Sequence, residues 1–251
     1  MIFELDLAGA EWRCAAFVTQ DQVMIRELVE GFDPHSFWCT EALGLTLNKE
    51  NRFITKNAFT FRMLYTDEEN CGYPFYIDNR LPRFSKKTWD RIVGDFYAKY
   101  HGLFDAHVRW YKEVCENAGT LRSCTGRKYV FGKIRRKGIL TYNKSQIYNY
   151  PVQGLSGGEL LPLLMVQINM DVLRSGIRAL IIETVHDSIV YDVHEKDVDR
   201  LVEICYNRVM GLRASISKLF GINWNVPLGA ECKIGPNWGE LREIANIQEK
   251  L

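Results

Sequence analysis

The stretch Ile2-Phe3-Glu4-Leu5-Asp6-Leu7-Ala8-Gly9-Ala10-Glu11-Trp12-Arg13 decides how the rest of the chain is read. From Ile2 to Leu7 apolar and acidic residues alternate, the period-two pattern of a strand with one buried face, ending near Asp6. Far downstream, Leu180–Val185 and Ser188–Val193 are two β-rich runs flanking His186-Asp187, which reads as a hairpin with those two residues at its tip. Asp6 and Asp187 are each the polar exception in an apolar neighbourhood. Taken singly, each reads as an aspartate that ends a strand. Brought together on adjacent strands, they would suit hard divalent cations, which take oxygen ligands and usually one or two protein carboxylates, and hence a two-metal phosphoryl-transfer site.

Around this frame the pattern predicts a helix over Gln22–Glu30 stopped by Gly31, and a capped turn at Asp33-Pro34-His35-Ser36. Further helices are expected over Arg52–Tyr65, from a Ser85 cap to Asn117 with Gly94 and Gly102 as possible breaks, over Gln153–Ser175, and over Asp197–Phe220. Residues 66–84 read as a loop. Residues 119–142 carry a local basic excess on loops and a small hairpin, and Val226–Ile234 reads as a last strand ended by Gly235-Pro236-Asn237-Trp238.

Composition narrows the function classes. The chain has 251 residues, 47% hydrophobic and 25% charged, which excludes a disordered tail or a low-complexity scaffold. Formal net charge is +1, so bulk charge gives no argument for nucleic acid and any basic surface must be local. Seven scattered cysteines without metal-site spacing read as free thiols. No apolar run approaches the ~18 residues of a membrane span, so no membrane is expected, and the N-terminus lacks the features of a signal peptide.

A second constellation is Arg52 and Lys56, one helical turn apart, followed by Phe61 and Tyr65 at the same spacing. A cationic pair can grip a triphosphate and aromatics can stack on a base; from spacing alone the favoured reading is an ordinary amphipathic helix with a solvated basic edge.

Asp6-Leu-Ala-Gly-Ala-Glu11-Trp-Arg13 resembles motif A of the family A DNA polymerases (the DNA polymerase I family), particularly its phage replicative branch. Asp33-Pro-His35-Ser resembles the segment entering that family's fingers, and Arg52-Phe-Ile-Thr-Lys56 with Phe61-Arg-Met-Leu-Tyr65 resembles motif B. Asn149-Tyr-Pro151-Val-Gln153-Gly154, Val185-His186-Asp187-Ser188 (motif C) and the C-terminal Val226–Trp238 segment resemble further elements, all in the family's order.

The resemblance implies an α+β fold: an antiparallel palm sheet with packed helices plus a mostly helical fingers subdomain. It divides the chain into palm (1–33), fingers (34–135) and palm again (136–251), with the thumb and exonuclease absent. It implies a DNA-directed DNA polymerase using two Mg²⁺ ions held by Asp6 and Asp187 with the Leu7 carbonyl assisting. His35, Arg52 and Lys56 would bind the incoming triphosphate, with Lys56 also protonating the leaving group. Phe61 would pack on the nucleotide, Tyr65 would stack at the template position, and Glu11 would exclude a 2′-hydroxyl. Asn149, Gln153 and His186 belong to the DNA-binding set, Gln153 and His186 at the primer-end minor groove, with Arg127 and Lys128 as backbone contacts or, equally, a solvated loop. Arg13 reads as a structural ion pair.

Partners implied are primer–template DNA, a deoxynucleotide and a second protein chain carrying the thumb and 3′–5′ exonuclease, acting in the cytoplasm of a bacterial or phage-infected cell. Alternatives are an excised fragment, a non-catalytic palm–fingers module, or a single-subunit RNA polymerase relative, which His-Asp-Ser also resembles and Glu11 argues against.

Three departures from the family pattern stand out. Phe61 lies five residues after Lys56 rather than four, which on a regular α-helix turns it ~140° off the Lys56 face. A single π turn would absorb the extra residue; otherwise Phe59 takes the packing role. Arg62 and Thr66 replace two glycines, and Ser188 replaces a glutamate after the motif C aspartate.

Overall fold

A computed structural model describes residues 1–66, 71 and 80–249. Strands are β1 (Ile2–Leu7), β2 (Thr120–Arg122), β3 (Lys128–Val130), β4 (Lys133–Arg136), β5 (Ile139–Tyr142), β6 (Ala179–Val185), β7 (Ser188–Val193), β8 (Gly229–Gly235) and β9 (Arg242–Gln248). The chain divides into two compact units, Met1–Cys14 with Gln153–Leu251, and Ala15–Val152. The divisions fall inside two continuous helices, Ala10–Thr19 and Lys144–Leu155. The palm and fingers limits expected at 33/34 and 135/136 follow motif positions, whereas residues 15–33 and 136–152 pack into the helical unit.

The first unit is built on a five-stranded sheet, order β6-β7-β1-β8-β9, with every pairing antiparallel. β1 is central, and its alternation is what seats it: Phe3, Leu5 and Leu7 point into the core while Glu4 and Asp6 stay on the opposite face. Val198–Met210, with Leu201, Ile204, Cys205 and Val209 buried, is tied to Leu161–Ser175 by a two-pronged Arg208–Asp171 ion pair. The helix expected over 197–220 is interrupted at Gly211 and resumes as Leu212–Phe220. The helix expected to start at Gln153 starts at Lys144 instead and carries Pro151 in its interior. Proline normally marks a helix boundary, because it removes a backbone donor; a π turn at Ser156–Leu160 follows before the helix resumes at Leu161. β9 was not expected and extends the sheet beyond β8. The helix Ala10–Thr19 was also unforeseen: Trp12, Cys14, Ala15, Ala16 and Phe17 are all buried, so it has no clean amphipathic stripe to read.

The second unit is mostly helical. Asp21 organises its entry, because one carboxylate oxygen accepts the N–H groups of Val23 and Met24 and the other accepts that of Leu103. One side chain thus caps Gln22–Val29 and satisfies a donor in the first turn of His101–Glu116. The long stretch capped by Ser85 breaks at Tyr100 (φ −103°, ψ 64°), at neither Gly94 nor Gly102. The reason is tertiary: the Tyr100 hydroxyl donates to Glu27, whose other oxygen pairs with Lys99 at 2.6 Å. The core is aromatic, with Phe59 against Trp38, Trp89 and Phe96 at centroid distances of 5.5, 6.0 and 5.8 Å. Residues 119–142 form two hairpins, β2–β3 and β4–β5, rather than one. Most of the loop expected over 66–84 lies outside the described residues. All seven cysteines are free thiols, and no helix among the described residues is long and apolar enough to cross a membrane.

A Cβ added at Gly102 would lie 2.7 Å from the Asp21 Cα, whereas one at Gly94 meets nothing within 4 Å. Gly102→Ala is therefore expected to destabilise the chain by about 1–3 kcal/mol and Gly94→Ala to be neutral or stabilising by up to ~1 kcal/mol, read by urea denaturation.

Candidate active site

β1 and β7 pair antiparallel in a register that sets Asp6 opposite Ser188. The Leu7 N–H continues the ladder by donating to the Asp187 carbonyl at 3.1 Å. Asp187 therefore sits immediately beside the end of β1 that carries Asp6. The two-residue turn His186-Asp187 places His186 at φ +54°, and the Ser188 hydroxyl donates to the Val185 carbonyl at 3.0 Å across it. Ser188, where the family pattern has an acid, thus braces the tip. Gly157, in the π turn Ser156–Leu160, approaches from the other side: a Cβ there would lie 3.2 Å from the His186 carbonyl oxygen.

Burial and the neighbouring Asp187 push the Asp6 carboxyl up to about 6. Lys233 works against this, its Nζ lying 3.7 Å from Asp6, 3.2 Å from Glu4 and 3.9 Å from Glu231. These three residues were not singled out from the sequence. β8 alternation puts Glu231 and Lys233 on one face, but only the β1–β8 register, Asp6 opposite Glu231 and Glu4 opposite Lys233, brings them to Asp6. The result is an oxygen-rich face with more negative charge than its single lysine neutralises. Among the described residues no cluster of three or more His, Cys, Asp or Glu side chains forms a ready metal cage. Asp6, with its raised proton affinity, and the adjacent Asp187 fit a hard divalent ion that takes its remaining oxygens from substrate and water.

Glu11 is half-buried in the first turn of Ala10–Thr19. Arg13 does not form the expected ion pair as its main contact. It donates to backbone carbonyls, to Ala8 at 2.7 Å and to Pro227, and reaches the Gln248 amide oxygen at 3.2 Å. Asn149 and the exposed Gln153 stand four residues apart on Lys144–Leu155, and His186 is exposed.

In the helical unit, Asn48 caps a helix that runs from Lys49 to Ile54, passes through a π turn at Thr55–Thr60 and resumes as Phe61–Tyr65. The Phe61 N–H donates to the Lys56 carbonyl, five residues back. The π turn absorbs the extra residue: the Lys56 Nζ lies 5.1 Å from the Phe61 ring centroid. Phe61 also meets His35 edge-on at 5.8 Å and Tyr65 at 6.2 Å. Phe59, the other candidate for the packing role, is fully buried in the aromatic core. Arg52 is not an open phosphate grip, because its guanidinium forks onto Asp33 at 2.6 and 3.1 Å. Asp33 also accepts the His35 N–H at 3.1 Å, and Arg52 in turn holds the Asp33 carboxyl below its usual range. His35 is buried, with Nδ1 2.8 Å from the Thr60 hydroxyl. Burial, aided by Arg52 and Lys56, drives it down to about 4, so it stays neutral at physiological pH. Arg127 and Lys128 are exposed on and before β3.

Residues 1–240 match the family described as DNA polymerase family A, and the chain belongs to that family. It is 22% identical over 245 residues to DNA polymerase I of Chloroflexus aurantiacus, covering 96% of this chain and 24% of that protein. Against DNA polymerase I of Aquifex aeolicus identity is 25% over 243 residues, covering 93% and 38%, and against the DNA polymerase of Bacillus phage SP01 it is 27% over 261 residues, covering 99% and 27%. The solved POL domain of M. smegmatis Pol1, in complex with DNA primer–template and dNTP, superposes with a TM-score of 0.75 at 18% identity, covering 94% of this chain and 40% of that one. The chain thus spans about a quarter to two fifths of the length of these relatives.

Two measurements check this geometry. Phe59→Ala is expected to cost about 3–5 kcal/mol and Phe61→Ala about 1 kcal/mol or less in chemical denaturation, because only the first empties a packed core. Because the folded Asp6 pKa is raised, the folded chain binds more protons than the unfolded one between pH ~4 and ~6. The stability contribution of Asp6 therefore falls as pH rises through that window. Asp6→Asn removes the penalty and, allowing for solvent screening at this part-exposed site, is expected to stabilise the metal-free chain at pH 8 by about 1 kcal/mol, an advantage that vanishes below pH ~4.

Proposed function

We propose that this chain is the catalytic part of a DNA-directed DNA polymerase, adding deoxynucleotides to a primer 3′ end. The observation that carries the reading is the Asp6–Asp187 pair, gathered by the β1–β7 register in a chain of DNA polymerase family A. Asp6 and Asp187, with the Leu7 carbonyl, would hold two Mg²⁺ ions. Bound there, those ions would supply activation of the primer hydroxyl and neutralisation of charge on the triphosphate.

The chain's own residues do the rest. Lys56, held beside the Phe61 ring, reaches the triphosphate and delivers a proton to the departing pyrophosphate. Arg52 joins it as the triphosphate competes with Asp33 for the guanidinium fork. His35, neutral, contributes a hydrogen bond and not a charge. Phe61 packs on the nucleotide and Tyr65 stacks at the template position. Glu11 fills the space a 2′-hydroxyl would need. Gln153 and His186, with Asn149, read minor-groove acceptors that every base pair presents at the primer end. A net charge of +1 offers little bulk attraction to a polyanion, which supports a second protein chain that adds duplex grip.

Template-dependent extension with Mg²⁺ is expected from the purified chain, and more strongly with a co-purifying partner. Asp6→Ala or Asp187→Ala should lower it by at least ~10³-fold, and retained activity in either would remove the metal assignment. Glu11→Ala should let ribonucleotides compete; a wild-type preference for ribonucleotides would instead favour the RNA polymerase reading. No extension under any of these conditions would favour a non-catalytic module.

A further inference from the structure

The sequence from Asn117 to Gly158 contains no Asp or Glu and eight Lys or Arg residues, in a chain whose net charge is only +1. Half of those cations fall on one short element, the β4–β5 hairpin: Lys133, Arg135, Arg136 and Lys137. The two strands pair only with each other, Lys133 opposite Tyr142 through Arg136 opposite Ile139, and all four residues of β4 are exposed. The base of this ribbon is anchored. Tyr142 is buried in a cluster with Phe131, Tyr129 and Trp110, and the Thr141 hydroxyl lies 2.8 Å from that of Tyr111.

The tip is a two-residue turn, Lys137-Gly138, with φ of +49° and +83°. Turns of that type favour Asn or Asp with Gly, since a lysine in the left-handed region is strained. A cation thus occupies the one position on the hairpin where backbone geometry argues against it. Strain kept at an exposed tip is a pointer to use. Lys133 and Arg135 stand on one face of β4, ~7 Å apart along the strand, and Lys137 follows in the turn, where the Arg135 guanidinium donates to the Gly138 carbonyl at 3.0 Å. A linear row of cations on a narrow ribbon suits a linear row of phosphates better than a single small anion.

We propose that the β4–β5 hairpin is a clamp on the phosphate backbone of duplex DNA, separate from the β2–β3 hairpin that carries Lys128. It deepens the polymerase reading and rests on it for the identity of the polyanion. Fluorescence anisotropy of a labelled primer–template duplex with the full chain, titrated between 50 and 200 mM salt, tests it. The variant K133Q/R135Q/R136Q/K137N is expected to bind at least ~100-fold more weakly at the low end and to lose ~3.6 from the slope of log K against log salt, about 0.9 for each phosphate contact. K137N alone places a favoured turn residue at the tip, so its melting temperature should hold or rise while its slope falls by ~0.9.

The control K86Q/K87Q/R91Q/K112Q removes the same formal charge from exposed helix positions and should change affinity less than ~3-fold. An unchanged slope in the hairpin variants, or an equal loss in the control, overturns the clamp while leaving the polymerase reading intact if wild-type extension persists. A wild-type chain that binds no duplex at any salt overturns the clamp, and the absence of extension with it overturns the polymerase reading as well.

Discussion

Two like charges held side by side are the constraint around which this molecule is arranged. Carboxylates repel, and burial together with Asp187 makes Asp6 harder to ionise, so the pairing of Asp6 with Asp187 exists only because backbone hydrogen bonds enforce it. The β1–β7 ladder, the Leu7 bond to the Asp187 carbonyl and the Ser188 brace together fix the two positions. A one-residue slip of β1 would turn Asp6 into the core and Leu5 onto the polar face. Phe3, Leu5 and Leu7 prevent it, so the same alternation that builds the core also aims the acid. Lys233 moderates the repulsion without cancelling it, so the Asp6 carboxyl stays raised to about 6.

The helical unit meets a different difficulty. One residue more than the family pattern separates Lys56 from Phe61, and on a regular helix the two would diverge. The π turn at Thr55–Thr60 restores their contact at the cost of local irregularity, and Phe59 and Thr60 at its end are locked in place, one by the aromatic core and the other by His35. π turns also occur at Trp38–Ala42 and Ser156–Leu160. The second of these adjoins His186, so irregular helix recurs beside residues with proposed roles.

Much of this was legible in order of residues alone. The strand Ile2–Leu7, the hairpin around His186-Asp187, the caps at Asp33 and Ser85 and the stop at Gly31 all follow from local rules: alternation, turn chemistry and capping. Helix Ala10–Thr19 was hidden because it is apolar nearly all round, and helix Lys144–Leu155 because Pro151 reads as a boundary when neighbours are unknown. The break at Tyr100 was misplaced for a similar reason. Its cause is a hydrogen bond to Glu27, more than seventy residues away in the chain, which no local rule encodes.

The amino-acid sequence by itself determined the order of the motifs, in which Asp6 and Asp187, the Arg52–Lys56 pair, Phe61 and Tyr65 stand at the positions that the resemblance to the family marks as candidates. Only the tertiary structure decided their state. It placed Lys233 and Glu231 beside Asp6, tied Arg52 to Asp33, and kept His35 neutral by burying it next to two cations. The physical reason is that residue type and backbone propensity act over a few neighbours, whereas proton affinity and charge pairing depend on strand register and burial, which exist only once distant segments have met.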